Sequence, residues 1–277
     1  ERYPAMKDQY QHYLELLKGL RLMDDDFFSE ALDEKIEPVE YILRTILERN
    51  DIKVQCTEAQ VEYKSATKRS IKLDIRAVDT EGHVLDIEVQ RADKGASVRR
   101  ARFHSSVIDR TLLEKGEDFD ALVDTYVIFI TRNDILGFHL PIYHIDKEII
   151  ETKEAFDDGQ HIIYVNASRR DSTELGHLMH DLHCKDASEM YSDILSTRVR
   201  ELKESEKGVK EMCKELEEIY NEGEQSGVQK GIQKGELKKA RETVFALLEM
   251  GMPVEQITKA VKIPLTTVQS WIAETKF

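Results

Sequence analysis

The spacing of hydrophobic residues changes along the chain and predicts helices, then strands, then helices again. Leu14, Leu17 and Leu20, and the apolar positions between Val39 and Leu47, recur at helical intervals, so residues 7–49 are predicted to be helical. Alternating or short apolar runs predict strands at 54–61, 71–78, 84–90, 126–130, 142–145 and 162–165, with a helix at 94–115. This order indicates an α/β fold: a mixed sheet with helices on both sides.

The remaining third of the chain is predicted to be mainly helical. Residues 172–220 are strongly charged and helical, and residues 221–236 carry a glycine at every fourth position. Because each glycine weakens a helix by ~1 kcal/mol, that stretch is either a weak helix or a linker, and we favour the linker. The predicted divisions are an N-terminal helical segment (1–34), an α/β core (35–170), a helical extension (171–220), the linker (221–236) and a tail (237–277).

The tail contains three predicted helices and resembles a helix-turn-helix. Thr266, Thr267, Gln269 and Ser270 would stand near the start of its last helix, where such motifs contact DNA. A small helical hairpin that packs on itself or on another copy fits the pattern equally well. The sequence leaves both interpretations open.

Acidic residues follow two of the predicted strands. The turn sequence from Asp79 to Gly82 makes strands 71–78 and 84–90 antiparallel neighbours. Asp74 lies on the first strand, while Glu88 and Gln90 share a face of the second. Two converging carboxylates suit Mg²⁺, which can activate water for attack on a phosphate. Solvated polar strand faces, with Asp86 beside Glu88, are the alternative.

Net charge restricts how the protein could meet nucleic acid. The chain has a formal net charge of -14, so any DNA contact requires a local basic patch. Such a patch is predicted on the helix after the third strand. Its members are Arg91, Lys94, Arg99, Arg100 and Arg102. Phosphate contact and a solvated helix face remain equally open for them.

Cysteine usage and the chain start indicate a cytoplasmic protein. Cys56, Cys184 and Cys213 are few and far apart, as expected of reduced thiols. No signal-peptide core or run of ~20 apolar residues is evident. The group His177, His180, His183 and Cys184 could suggest zinc, but histidines three apart spread around a helix, which favours packing or hydrogen bonding.

The acidic strands and several other segments together resemble a known family. Leu73-Asp74-Ile75 and Ile87-Glu88-Val89-Gln90 resemble the PD-(D/E)XK nuclease core, in particular the recombination-promoting group called PD-(D/E)XK nuclease family transposases. The resemblance spans about Leu22–Met212. Its other segments are Asp93–Ala96, Arg99–Arg102, Thr125–Thr131, Leu140–Ile145 and Leu178–Asp181.

The resemblance implies a restriction-endonuclease-like fold and a nuclease site. Asp74 and Glu88 would bind Mg²⁺, or Mn²⁺ in its place, together with the carbonyl of Val89. Gln90 stands where the parent motif has lysine, so it cannot supply positive charge. Glu40 is at a place where some relatives add an acidic ligand.

The implied activity is cleavage of double-stranded DNA with low sequence specificity, in recombination or mobile-element biology. A homodimer is expected because cutting both strands usually needs two sites. Two alternatives stay open: a non-cleaving DNA-binding or protein-interaction module, and cleavage of RNA.

Overall fold

A computed structural model describes residues 2–64, 67, 69–91 and 95–274. Within these residues the strands form one mixed sheet with the order β1-β2-β3-β4-β6-β5. The strands are β1 (Val54–Tyr63), β2 (Ile71–Asp79), β3 (Val84–Gln90), β4 (Thr125–Thr131), β5 (Ile142–Ile145) and β6 (Gln160–Asn166). β3, β4 and β6 are mutually parallel, and the other neighbours are antiparallel.

Helices flank this sheet and precede and follow it. They are α1 (Arg2–Gly19), α2 (Asp25–Leu32), α3 (Ile36–Leu47), α4 (Val98–Leu112), α5 (Glu174–His183), α6 (Asp193–Glu204), α7 (Glu206–Glu249), α8 (Val254–Val261) and α9 (Leu265–Glu274). α4 packs on β4 and β6, whereas α2 and α3 pack against β1. The predicted α/β class and mixed sheet are therefore confirmed.

Hydrogen bonds from the backbone and a glycine define the turn between β2 and β3, the two strands that carry the acidic residues. Asp79 Oδ1 accepts hydrogen bonds from the backbone N–H of Glu81 and of His83, each at 2.9 Å. Gly82 adopts a φ of +91°, which glycine tolerates without steric cost. This turn fixes β2 and β3 as antiparallel neighbours, as the sequence predicts.

A hydrophobic core lies between α4 and one face of the sheet. Ala101 and Ile108 of α4 pack with Val127 and Phe129 of β4. Ser97 caps the helix, since its side chain accepts a hydrogen bond from the Arg100 N–H at 3.3 Å. The cap and the core together fix which side chains of α4 face β3.

The segment predicted to be a linker is helical instead. Residues 221–236 lie inside α7. Extending an existing helix costs less than starting one, and the glutamines and lysines between the glycines are good helix formers. Ion pairs four residues apart, such as Lys214–Glu218 at 3.4 Å, add support on the N-terminal side.

The chain divides into two compact units, the first ending at Cys213 and the second beginning at Lys214. In the second unit, Val244 of α7, Ile257 of α8 and Val268 of α9 form a small core. This agrees with the three helices predicted for the tail. Among the described residues, no helix combines the length and apolar character needed to cross a bilayer.

Candidate metal and nuclease site

Asp74 and Glu88 meet where β2 and β3 stop pairing. The last backbone pair at this end of the two strands is Ile75 with Ile87. Beyond it, side chains accept the backbone hydrogen bonds: Glu88 Oε1 from the Asp74 N–H at 3.1 Å, and Asp74 Oδ2 from the Val89 N–H at 2.9 Å. The structure therefore places the two predicted carboxylates together.

The carboxylates of β3 lie beneath α4. Asp86 and Glu88 pair with Val127 and Phe129 of β4 in the parallel ladder, so they share the sheet face that α4 covers. Asp86 and Glu88 are both 0% exposed, and Asp74 is 6% exposed. A solvated strand face, the alternative reading of the sequence, is thereby contradicted.

Burial gives these carboxyl groups an unusual preference for the neutral form. Burial, followed by the Glu88 charge, raises the pKa of Asp74 to about 9. Burial raises the pKa of Asp86 to about 8. The pKa of Glu88 is also well above its usual value, because the side chain is buried and lies beside Asp86. Three buried carboxyl groups that resist ionisation are thus concentrated at one point of the fold.

Two residues of α4 contact this acidic cluster. Arg100 Nη2 donates to Glu88 Oε2 at 2.7 Å, while Arg100 Nε donates to His104 Nε2 at 3.2 Å. His104 Nδ1 lies 3.1 Å from Asp86 Oδ2. Because Nε2 accepts a hydrogen bond from Arg100, Nδ1 carries the proton, and this N–H donates a hydrogen bond to Asp86. Burial and the charges of Arg100 and Arg69 lower the pKa of His104 to about 4, so the imidazole is neutral.

The N-terminus of α2 brings further acidic charge to the site. Asp25 raises the pKa of both Asp74 and Glu88. The sequence signal for this residue is the run Asp24-Asp25-Asp26, whose residue types are typical of a helix cap or a loop. The approach of α2 to β2 joins parts of the chain about fifty residues apart, so local pattern does not reveal it.

Gln90 lies close to the backbone that leads into α4. A Cβ atom added to Gly95 would stand 1.8 Å from Gln90 Oε1, so a larger residue here would displace the Gln90 amide. Arg100 Nη1 donates to the Gly95 carbonyl at 2.7 Å. The Gly95 backbone therefore lies beside both the Gln90 amide and the Arg100 guanidinium.

Comparison with protein families agrees with this geometry. The family model for PD-(D/E)XK nuclease family transposases matches residues 28–238, which is more than half of the chain. The chain belongs to this family. No curated protein and no solved structure matches the chain. Nuclease or transposase-related activity is the function that the PD-(D/E)XK family suggests.

The basic residues that the sequence predicts to contact phosphates lie in different environments in the structure. Arg99 and Arg102 are exposed. Arg91 Nη1 pairs with Asp24 Oδ1 at 2.6 Å, and Arg100 turns inward to Glu88. Lys94, like Asp93 in the quoted motif, lies outside the described residues. Arg100 is therefore part of the carboxylate cluster rather than a free surface cation.

Glu40 does not join this PD-(D/E)XK cluster, contrary to the expectation that it adds an acidic ligand. Its side chain accepts from the Val54 N–H at 2.9 Å and pairs with Arg44 at 2.6 Å. Val54 pairs with Asp79, five residues along β2 from Asp74, a separation of roughly 17 Å. Glu40 instead anchors the start of β1 to α3, and Asp25 contributes the additional acidic charge.

The histidines of α5 have the structural roles predicted for them. His177 stacks on Tyr191 with ring centroids 4.1 Å apart, and His183 Nδ1 contacts the Met179 carbonyl at 2.8 Å. His180, Asp181 and Cys184 do lie within metal-binding distance of one another.

The Asp181 carboxylate of this α5 cluster nevertheless already has hydrogen-bond partners. Both Asp181 oxygens accept backbone N–H groups, those of Tyr191 and Ser192, at 2.8 Å. Burial raises the pKa of the Cys184 thiol to about 11, so the thiol is protonated in the absence of a metal.

Proposed function

We propose that the protein is a divalent-cation-dependent DNA endonuclease that uses Mg²⁺ and cleaves phosphodiester bonds with low sequence specificity. The observation that carries the proposal is the meeting of Asp74 and Glu88 where β2 and β3 separate. Family membership supports hydrolysis of nucleic acid. A role in recombination or mobile-element biology belongs to the same proposal.

The carboxylate cluster has the chemistry that a hard cation requires. Asp86 Oδ1 is a buried oxygen without a hydrogen-bond donor among the described residues. The raised pKa values support this proposal, because protons or a cation would offset the charge of the buried carboxyl groups. Asp74 and Glu88, with the carbonyl of Val89, would hold the ion. When bound, it supplies positive charge to the phosphate and activates a water.

Side chains around the carboxylates would supply the remaining functions. The Gln90 amide would orient the attacking water or a phosphate oxygen. Arg100 would supply the positive charge that Gln90 cannot, since its guanidinium is held 2.7 Å from Glu88 by His104 and Gly95. Exposed Arg99 and Arg102 would contact phosphates of the DNA. A homodimer would provide the two sites that cutting both strands requires.

A second candidate is a non-cleaving DNA-binding or protein-interaction module. Glu88 favours it, because this side chain is fully buried and both of its oxygens already accept hydrogen bonds. A cation would have to share Glu88 with Arg100. Gln90 in place of lysine and the net charge of -14 favour this candidate as well.

Plasmid nicking tests the two candidates. We expect purified protein to nick supercoiled plasmid with Mg²⁺ or Mn²⁺ and not with EDTA. Asp74→Asn and Glu88→Gln keep side-chain shape and should abolish nicking, whereas exposed Asp120→Asn should not. Intact plasmid with either ion, or equal activity of Asp74→Asn and wild type, would reject the endonuclease. Cutting of a matched RNA duplex alone would identify an RNase.

A further inference from the structure

A cleft with strongly basic walls adjoins the carboxylate cluster. It has a volume of about 640 Å³ and lies between the start of β2 and the N-terminal half of α4. Its lining residues are Arg69, Ser70, Ile71, Lys72, Ser97, Arg99, Arg100, Phe103 and His104. No acidic residue is among these described lining residues, although the chain carries a net charge of -14. The cleft is therefore a local site for an anion.

The inner wall of the cleft is shared with the proposed nuclease site. Arg100 and His104 line the cleft and also contact Glu88 and Asp86, at 2.7 and 3.1 Å. Arg69 is close enough to lower the pKa of His104. A phosphate chain that occupies the cleft would thus lie against the two side chains that contact the carboxylates.

Phe103 gives the cleft a feature that phosphate binding alone does not need. Its side chain is 38% exposed on α4, among the cations. Aromatic rings beside a basic groove are how proteins bind single-stranded nucleic acid, because unpaired bases can stack on them. In a duplex the bases are already stacked inside the helix.

We propose that this cleft binds an unpaired DNA strand next to the carboxylate cluster, with phosphates on Arg69, Lys72 and Arg99 and a base stacked on Phe103. The inference rests on the proposed nuclease function and specifies its substrate. DNA with a single-stranded segment beside the cut would then be bound better than a continuous duplex.

Binding in EDTA tests the inference separately from cleavage. Fluorescence anisotropy with a labelled 20-nucleotide oligothymidine and a 20-base-pair duplex should show tighter binding of the single strand. Phe103→Ala should weaken oligothymidine binding about tenfold, and Phe103→Leu nearly as much, since both lose the stacking ring. Phe119→Ala removes a more exposed ring outside the cleft and should have no effect.

The basic residues give an independent measurement. Arg69→Gln and Lys72→Gln should each reduce the slope of log affinity against log salt by about 0.7 for the single strand. Circular dichroism melts confirm that each variant is folded. Tighter binding of the duplex, or Phe103→Ala within twofold of wild type, would overturn the inference. Plasmid nicking with Mg²⁺ would still report on the endonuclease.

Discussion

Replacing Asp86 by asparagine should stabilise the protein at alkaline pH. Burial raises the pKa of Asp86 to about 8 from its ordinary 3.8. Such a carboxyl group, whose pKa is higher in the folded than in the unfolded state, makes its full contribution to stability below pH 3.8, its ordinary pKa. That contribution is lost progressively as the pH rises to 8, its pKa in the folded protein. At 1.36 kcal/mol per pH unit, the loss at pH 8 is about 5 kcal/mol at most.

Asparagine has nearly the same shape but never ionises. Its oxygen can still accept from His104 Nδ1, and its amide replaces Oδ1, which has no donor among the described residues. Imperfect hydrogen bonding of that buried amide costs roughly 1–3 kcal/mol. We therefore expect Asp86→Asn to be about 3 kcal/mol more stable than wild type at pH 8, and about 2 kcal/mol less stable at pH 4, where only the hydrogen-bonding cost remains.

Urea unfolding in EDTA at several pH values between 4 and 8 measures this difference. The gain of Asp86→Asn over wild type should grow steadily with pH. Asp120→Asn changes an exposed carboxylate and provides the control, with no gain at any pH. A gain that does not depend on pH, or a variant less stable than wild type at pH 8, would refute the argument that ionisation of Asp86 opposes folding.

Two further substitution pairs test the packing and charge arguments. Arg100→Met leaves buried Glu88 without its cation and should destabilise the fold by about 3 kcal/mol at pH 8. Arg100→Lys keeps a positive charge and should lose less stability. Equal losses of the two variants in urea unfolding would contradict this. Gly208→Ala would place a Cβ 2.0 Å from the Glu201 carbonyl oxygen and should cost about 2 kcal/mol. Gly227→Ala meets nothing within 4 Å and should instead gain up to about 1 kcal/mol; two thermal melts that shift in the same direction would contradict the helix and packing argument.

The strands and the acidic pair could be predicted because their signals are local. The alternation of β2 and β3 and the turn from Asp79 to Gly82 involve neighbours in sequence, and they determine that Asp74 lies beside Glu88. The glycine-bearing part of α7 was mispredicted for the opposite reason. Its helix depends on propagation from flanking segments rather than on its own residues.

By itself, the sequence determined the α/β order, the strand pairing at the turn and the two carboxylates, because period and turn chemistry act over a few residues. Only the tertiary structure decided that Arg100 and His104 enclose Glu88 and Asp86, that Asp25 joins them and that Glu40 does not. Those contacts depend on how α4 and α2 pack on the sheet. Helix packing is set by side chains distant in sequence, so the direction of a charged side chain cannot be read from its position on a helix.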